Sequence, residues 1–380
     1  MLKSFKTEIK PTDEQRLKIS KTIGVARFVY NLYINSNKDK HVQGLKFTNA
    51  IDFSKYLNNE YRILHPEHAW ITEVSSKSTK KAIVNAESAF KKFFKKEAGF
   101  PKYKKKDDDV KLYVVSEKNS IKAERHRIKV PTIGWVTLKE FGYIPITNDI
   151  ISSCTISKRA NKYFISVLCD IKMINKQKQL TETGIGVDLG LKTFAVTSDN
   201  VNYKNINKTV SIKKLEKKLI REQRALSRKP KKDKTKSTTN RVKNICRIQR
   251  THLKLSNKRQ EYVRSVVNSL VKFSPKFIAI EDLNVRGMMK NRCLSKAIQK
   301  QNFFYFRSFL TQTCRKYGIE LRVINRFYPS SKTCRGCGCI HKGLRLKDRV
   351  FICPECGNKI DRDYQAALNI RDCLIYKIAQ

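Results

Sequence analysis

Acidic residues are in short supply in this chain: 33 Asp and Glu stand against 81 Lys and Arg in 380 residues, a formal net charge of +48. A chain so charged repels itself unless a polyanion is present, which makes nucleic acid the default partner. Long apolar runs and lipidation motifs are missing as well, so a place in or on a membrane has no support. The first residues, Met1-Leu-Lys-Ser-Phe-Lys, contain no apolar signal core. The eleven cysteines are therefore not read as the disulfides of a secreted protein. Four of them sit in paired knuckles. Cys154, Cys169, Cys246, Cys293, Cys314 and Cys373 are scattered among apolar neighbours and read as small buried hydrophobes. The expectation is a reducing compartment, hence the cytoplasm. What is present, 40% hydrophobic residues over 380 positions, suffices for two or three domains with their own cores.

The chain is organised around its C-terminal stretch. Cys334-Arg-Gly-Cys337 and Cys353-Pro-Glu-Cys356 have the spacing of a four-cysteine zinc ribbon, in which two tight turns aim four thiolates at one tetrahedral ion. Asp361-Arg-Asp363 follows and heads an apolar-periodic segment through Ala366, Ala367 and Ile370 toward Leu374. A zinc module feeding a helix headed by carboxylates points to a protein that shapes nucleic acid and cuts it.

Earlier in the chain, Phe5–Ile9 alternates as a short strand, and Thr12 with Gln15 has capping-box spacing for a helix start. Further helices are expected over 49–59 and 75–96. The run Lys102-Tyr-Lys-Lys-Lys106, next to Phe100, reads either as a solvated loop or as a stretch that tracks a backbone with stacking rings. From Leu112 to Cys169 the period drops to two, and strands are expected over Leu112–Val115, Arg127–Val130, Gly134–Leu138, Ile150–Ile156 and Tyr163–Leu168. This is a small β-domain, barrel-like, with a helical insertion after its first strand. Residues 213–270 read as two very basic helices broken at Pro230–Ser237, one face packing on a core and the other free to track phosphates. A last helix is expected over Ser295–Tyr317. Its Phe303-Phe-Tyr-Phe306 reads as core packing, with a stacking platform as the alternative.

Two strands carry acids. Ile185–Leu189 holds Asp188 between apolar residues, and a buried carboxylate there needs a partner such as a metal ion. Lys276-Phe-Ile-Ala-Ile-Glu281-Asp-Leu-Asn284 ends in Glu281 and Asp282, which alternation puts on opposite faces. Only one of the two can join Asp188, and Glu281 shares its face with Phe277 and Ala279. Asp188, Glu281 and Asp363 on three separate segments form the pattern for two-metal phosphodiester hydrolysis. Two ions about 3.5–4 Å apart share such carboxylates, and hard oxygen ligands suit Mg²⁺ or Mn²⁺. The order of these segments is that of an RNase H-like fold of the RuvC type.

Gly186-Val-Asp188-Leu-Gly-Leu-Lys192, Ile280-Glu281-Asp-Leu-Asn-Val285, Ser330-Ser-Lys-Thr-Cys334, Cys353-Pro-x-Cys356-Gly and Asp361-Arg-Asp363 together resemble the TnpB (OrfB) family of bacterial insertion sequences, related to type V CRISPR effector nucleases. Arg27-Phe-Val-Tyr-Asn31 and Gly99-Phe-Pro-Lys-Tyr103 match it too. The resemblance implies an α+β multi-domain fold. A β-rich wedge domain would cover 1–10 and 107–180, and a helical recognition lobe 11–106. A RuvC-like nuclease domain would cover 181–332 and 359–380, with a basic hairpin over 211–270. A zinc-ribbon insert that binds target nucleic acid would cover 333–358. The implied activity is RNA-guided cleavage of double-stranded DNA, with a guide RNA from the element's end as partner. Asp188, Glu281 and Asp363 are then the catalytic, magnesium-binding acids, and Cys334, Cys337, Cys353 and Cys356 the zinc ligands. Asp361 becomes the helix N-cap. Gln365 departs from the family's usual Asn, which bears on local hydrogen bonding. Cys339 and His341 lie close enough to the first knuckle to be candidate substitutes.

A transposase or accessory DNA-binding protein of the element, and a guided repressor that binds without cutting, remain the competing functions. The intact acids count against the repressor. The missing His-x-His plus Tyr signature counts against strand transfer. Monomer or dimer stays open.

Overall fold

Thr12 starts the first helix as its spacing predicts: its hydroxyl accepts from the Gln15 backbone at 3.3 Å, and the Gln15 side chain accepts from Thr12 N at 3.0 Å. The same Gln15 side chain donates to the carbonyl of Trp135 at 2.8 Å, so one residue both caps the helix and ties it to a strand. The computed structural model describes residues 2–105, 111–116, 120–146, 151–171, 179–229, 238–345 and 348–379. It divides into two units, Met1–Met173 and Ile174–Gln380.

The first unit is one antiparallel sheet with helices between its first two strands. Its strands are β1 (Leu2–Lys10), β2 (Leu112–Val115), β3 (Lys122–Ala123), β4 (Arg127–Val130), β5 (Gly134–Leu138), β6 (Ile151–Arg159) and β7 (Lys162–Asp170), ordered β2-β6-β7-β1-β5-β4-β3. Alternate residues such as Val136, Leu138, Ile165 and Val167 point into its core, the period-two burial that made these strands legible. Of the predicted positions, Lys106 and Ile150 lie outside the described residues. The helices are α1 (Asp13–Val42), α2 (Ala50–Tyr56), α3 (Arg62–Leu64) and α4 (Ser76–Phe94). Val29, Tyr33, Phe53, Ile83 and Phe90 form their common core. The helix expected over 49–59 is shorter: α2 ends at Tyr56 and a wider π turn, Leu57–Tyr61, replaces its last turns.

The second unit carries a mixed sheet of β8 (Ile185–Leu189), β9 (Thr193–Thr197), β10 (Asn202–Lys204), β11 (Phe277–Glu281), β12 (Glu320–Ile324) and β15 (Tyr376–Ile378). The order is β10-β9-β8-β11-β12-β15, with β8, β11 and β12 parallel. One face is covered by α6 (Thr239–Lys272) and α9 (Phe303–Tyr317), whose Val266, Val267, Phe306 and Leu310 pack on Val187, Ile278 and Ile280. The other face is covered by α10 (Arg362–Asp372), with Ile370 against Ala279 and Ile324. A basic helix α5 (Val210–Ser227) lies along α6. Two of the scarce acids clasp this pair. Glu222 accepts from Thr251 at 2.8 Å, and Glu216 pairs with Arg259 at 2.7 Å and Lys300 at 2.6 Å. The break at Pro230–Ser237 lies outside the described residues. The remaining elements are α7 (Val285–Met288), α8 (Arg292–Gln301) and the hairpin β13 (Val350–Ile352) with β14 (Lys359–Asp361).

Three expectations need correction. The helix read over Ser295–Tyr317 is two helices, α8 and α9, because Asn302 between them is left-handed at φ 57°, a conformation asparagine tolerates. The apolar segment does not run on to Leu374: α10 stops at Asp372, and Leu374 is 91% exposed. Cys293 is exposed, unlike the buried Cys154, Cys169, Cys314 and Cys373.

Candidate active site

Strand register brings the first two acids together. β8 and β11 run parallel with Gly186 beside Ala279 and Val187 beside Ile280. One step further along the same register stand Asp188 and Glu281, on the face that α10 covers. Asp361 caps α10 with bonds of 3.0 Å from Asp363 N and Tyr364 N. That leaves Asp363 in the first turn, at the helix end that meets the two strands. The proximity shows in the acid strengths. Asp188 is half-buried at the end of β8, and desolvation there, with the charges of Glu281 and Asp363, pushes its carboxyl from 3.8 to about 8. Burial also raises Glu281. The three acids that the sequence singled out thus lie near enough for Asp188 to feel the charge of the other two, but their ligand atoms do not all come within 4.8 Å of one another, and Arg362 and Arg349 approach Asp363 at 3.2 and 3.8 Å.

Asp282 takes no part. Facing the other way, it accepts from Arg326 at 2.6 Å and from Arg307, and these bonds hold it below the usual carboxylate range. Four neighbours were not legible as site residues. Ser330 donates its hydroxyl to Glu281. Arg362 pairs with Asp363 at 3.2 Å and its charge favours ionised Asp188. Gln365 and Asn369, one turn apart on α10, donate to the Thr333 carbonyl at 2.9 and 2.8 Å, and Asn369 also to Ser330 O at 2.7 Å. The signal for Ser330 was the Ser330-Ser-Lys-Thr stretch itself. The signal for Gln365 was its departure from the usual Asn. Its amide nitrogen is used, while its buried Oε1 has no partner among the described residues.

Gly186 sets how closely α10 approaches. A Cβ there would lie 2.0 Å from the Ala367 carbonyl oxygen and 2.6 Å from Arg371 N. Only a glycine lets the helix backbone rest on the strand, and that contact carries Asp363 to Asp188.

The four cysteines converge. The Sγ atoms of Cys334, Cys337, Cys353 and Cys356 all lie within 4.8 Å of one another, with Cys334–Cys356 at 3.6 Å and Cys337–Cys353 at 3.4 Å. These are non-bonded separations. Four thiolates about 2.3 Å from one zinc ion stand about 3.8 Å apart, so the set fits zinc. Both knuckles close alike: Gly338 N donates to Cys334 O and Gly357 N to Cys353 O, each glycine left-handed at φ 75° and 70°. Cys339 is outside the quartet, and His341 packs edge-on against Phe351.

The two early matching stretches meet in the first unit. The Asn31 side chain clamps Lys104 through its backbone N at 2.7 Å and O at 2.9 Å, while Tyr103 donates to Asn35 at 2.9 Å. Phe100 packs edge-on against Phe90 and Phe93. These rings pin the basic run to α1 and α4. In the Phe303–Phe306 cluster, Phe303 and Phe306 are core as expected, Tyr305 accepts from Arg264 at 2.7 Å, and Phe304 is 76% exposed. Among the described residues no helix is long and apolar enough to cross a membrane.

Comparison with known proteins yields consistent likenesses. The sequence matches the OrfB_IS605 family, described as "Probable transposase", over residues 166–292, and a "Cas12f1-like, TNB domain" over 303–370. A "Helix-turn-helix domain" also matches over 1–46, where the structure holds one strand and the whole of one 30-residue helix. A Streptomyces pristinaespiralis protein named "Putative RNA-guided DNA endonuclease" is 30% identical over 384 residues, covering 97% of this chain and 88% of its own. An Escherichia coli (strain K12) protein, InsQ, with the same designation is 27% identical, covering 97% and 91%. Among solved structures, Cas12f1 in its sgRNA–target DNA complex superposes with a TM-score of 0.60 at 15% identity, over 95% of this chain and 83% of that one. The likeness shows a shared fold.

Proposed function

The chain belongs to the TnpB (OrfB) family, and from that membership we propose that it is an RNA-guided DNA endonuclease, binding a guide RNA from its element's end and cutting matched double-stranded DNA. The observation that carries the reading is the meeting of Asp188, Glu281 and Asp363, sensed in the carboxyl of Asp188 at about 8. Three neighbouring acids are a cation site by composition, and their oxygens suit Mg²⁺ or Mn²⁺. When bound, two such ions supply the activated water and the stabilised leaving oxygen of phosphodiester hydrolysis. The protein's own part is to hold the acids. Ser330 fixes Glu281 by a hydrogen bond, Arg362 steadies Asp363, and Arg307 and Arg326 draw Asp282 away.

The parts are assigned accordingly. The RuvC-like nuclease covers 181–332 and 359–380, including the basic pair over 211–270. The insert 333–358 is a zinc ribbon that binds target nucleic acid, with structural zinc on Cys334, Cys337, Cys353 and Cys356. The seven-stranded sheet of 1–10 and 107–180 is the barrel-like wedge, and the helices of 11–106 are the recognition lobe. The protein works in the cytoplasm of a prokaryotic cell.

The test is to express the protein with and without its flanking element end, then offer matched and scrambled DNA. Cleavage of the matched target alone, and only by protein carrying RNA, supports the reading. Equal cutting of both targets by RNA-free protein leaves a non-specific nuclease instead. Matched binding without cleavage in Mg²⁺ leaves a guided repressor.

A further inference from the structure

His65, Glu67 and His68 gather within four residues of the first unit, far in sequence from the acids and the cysteines. One ligand atom from each lies within 4.8 Å of the others. The Glu67 carboxylate oxygen is 3.0 Å from His65 Nδ1 and 3.8 Å from His68 Nδ1. An ion held at about 2.0–2.1 Å by such atoms would set neighbouring ligands about 3.3–3.4 Å apart in a tetrahedron, and the two separations bracket that spacing. An ordinary His65–Glu67 pair would explain the first contact. The second imidazole also presents its Nδ1 toward that oxygen, with the Tyr61 hydroxyl beside it.

The turn is stiff. Pro66 fixes the backbone between the ligands. Tyr61 lies parallel to the His68 ring at 5.7 Å and its hydroxyl meets His68 Nδ1 at 2.9 Å. Phe28 and Trp70 flank the same ring at 4.8 and 5.8 Å. A ring wedged between three aromatics loses little rotamer freedom on binding an ion. His68 is 25% exposed and Glu67 61%, so the open side admits an ion and water.

We infer that His65, Glu67 and His68 form a second transition-metal site, distinct from the catalytic acids and from the cysteine cluster, that takes Zn²⁺ or a divalent ion of like preference. Two imidazole nitrogens and one carboxylate favour zinc, nickel or copper over magnesium. Three protein ligands leave a position for water, with the Tyr61 hydroxyl in reach. The ion would fasten the Leu57–Tyr61 turn to the Pro66–Glu73 turn across α3.

The experiment is equilibrium dialysis of the full-length chain, as it purifies with its RNA, against buffered micromolar Zn²⁺, with zinc counted by elemental analysis. His65→Gln/His68→Gln and, separately, Glu67→Gln are compared with wild type and with His41→Gln/His126→Gln, which removes two exposed histidines elsewhere. Glu67→Gln alters one exposed side chain and keeps its shape, which guards against a variant that fails to fold. The expected result is one zinc fewer per chain in the double variant, and at least about tenfold weaker binding of that ion in Glu67→Gln, with the control unchanged. Equal zinc in wild type and either ligand variant overturns the site. The count is a difference between proteins that share the cysteines, the acids and the RNA, so its outcome does not depend on whether the protein cleaves DNA.

Discussion

Asp188 holds its proton to about pH 8, because burial and two neighbouring acids oppose its charge. A group whose carboxyl is raised in the folded state favours folding at low pH, and that contribution is lost as pH rises from its unfolded value of 3.8 through about 8. Keeping the bare charge in place above pH 8 costs up to about 6 kcal/mol. Metal-free Asp188→Asn is therefore expected to melt higher than wild type at pH 8.5, with the gain shrinking toward pH 4, although it cannot cleave. Melting curves in EDTA across that range check this, and a pH-independent difference would count against it. Mg²⁺ must displace the same proton, so its half-saturation should improve as pH rises from 6 to 8, with protons released on binding. Asp188→Ala, Glu281→Ala and Asp363→Ala should each lower cleavage on the order of 10³-fold or more and leave target binding near wild type. Asp361→Ala removes only a cap, at about 0.5–2 kcal/mol of stability, and should still cut. If Asp363→Ala cuts fully, the two aspartates have been assigned the wrong way round. Ser330→Ala removes the hydroxyl that lowers Glu281, so the acidic limb of the pH–rate profile should move upward.

At the level of elements, the sheet of the second unit was readable because its acids sit at strand ends in a pattern of period two. Asp188 on β8 and Glu281 on β11 follow from register. What was hidden is how α10 comes to them. That depends on Gly186, whose missing Cβ admits the helix backbone, and on Gln365 and Asn369 gripping Thr333 more than thirty residues away. Neither shows in a hydrophobic period. The break at Asn302 was hidden for a like reason, since one left-handed residue leaves the apolar rhythm on both sides intact. Gly186→Ala is expected to lift α10, lowering both the melting temperature and cleavage, while ribbon zinc is retained. A variant with normal cleavage would mean the contact does not position Asp363. Cys353→Ser/Cys356→Ser should lose the ribbon's zinc and its fold, since structural sites of this kind contribute on the order of 10–16 kcal/mol in isolated peptides. Activity removed by EDTA should return with Mg²⁺ or Mn²⁺ and not with Zn²⁺ alone.

On the scale of the whole chain, the surplus of 48 positive charges was the plainest signal in the sequence, and it foretold the class of partner without its identity. Several of the few acids are spent inside the protein as clasps, Glu216 and Glu222 on the basic pair and Asp282 between two arginines. Each clasp removes a cation along with its acid, so the surplus of 48 is left to the other basic side chains. Nucleic-acid binding should weaken steeply with salt, by about 10³–10⁵ between 50 and 200 mM if 6–10 phosphates are held. A slope near zero in a filter-binding series would contradict this. The attachment of the four-cysteine segment has a wider consequence. Its chain leaves at Thr333 and returns into β14, and both ends are fastened to α10: Thr333 through Gln365 and Asn369, and β14 through the Asp361 cap. The cysteines between them make none of these bonds. Arg335 also pairs with Asp372 at 2.9 Å and Arg349 approaches Asp363 at 3.8 Å, so the segment's own arginines reach the helix that carries the third acid.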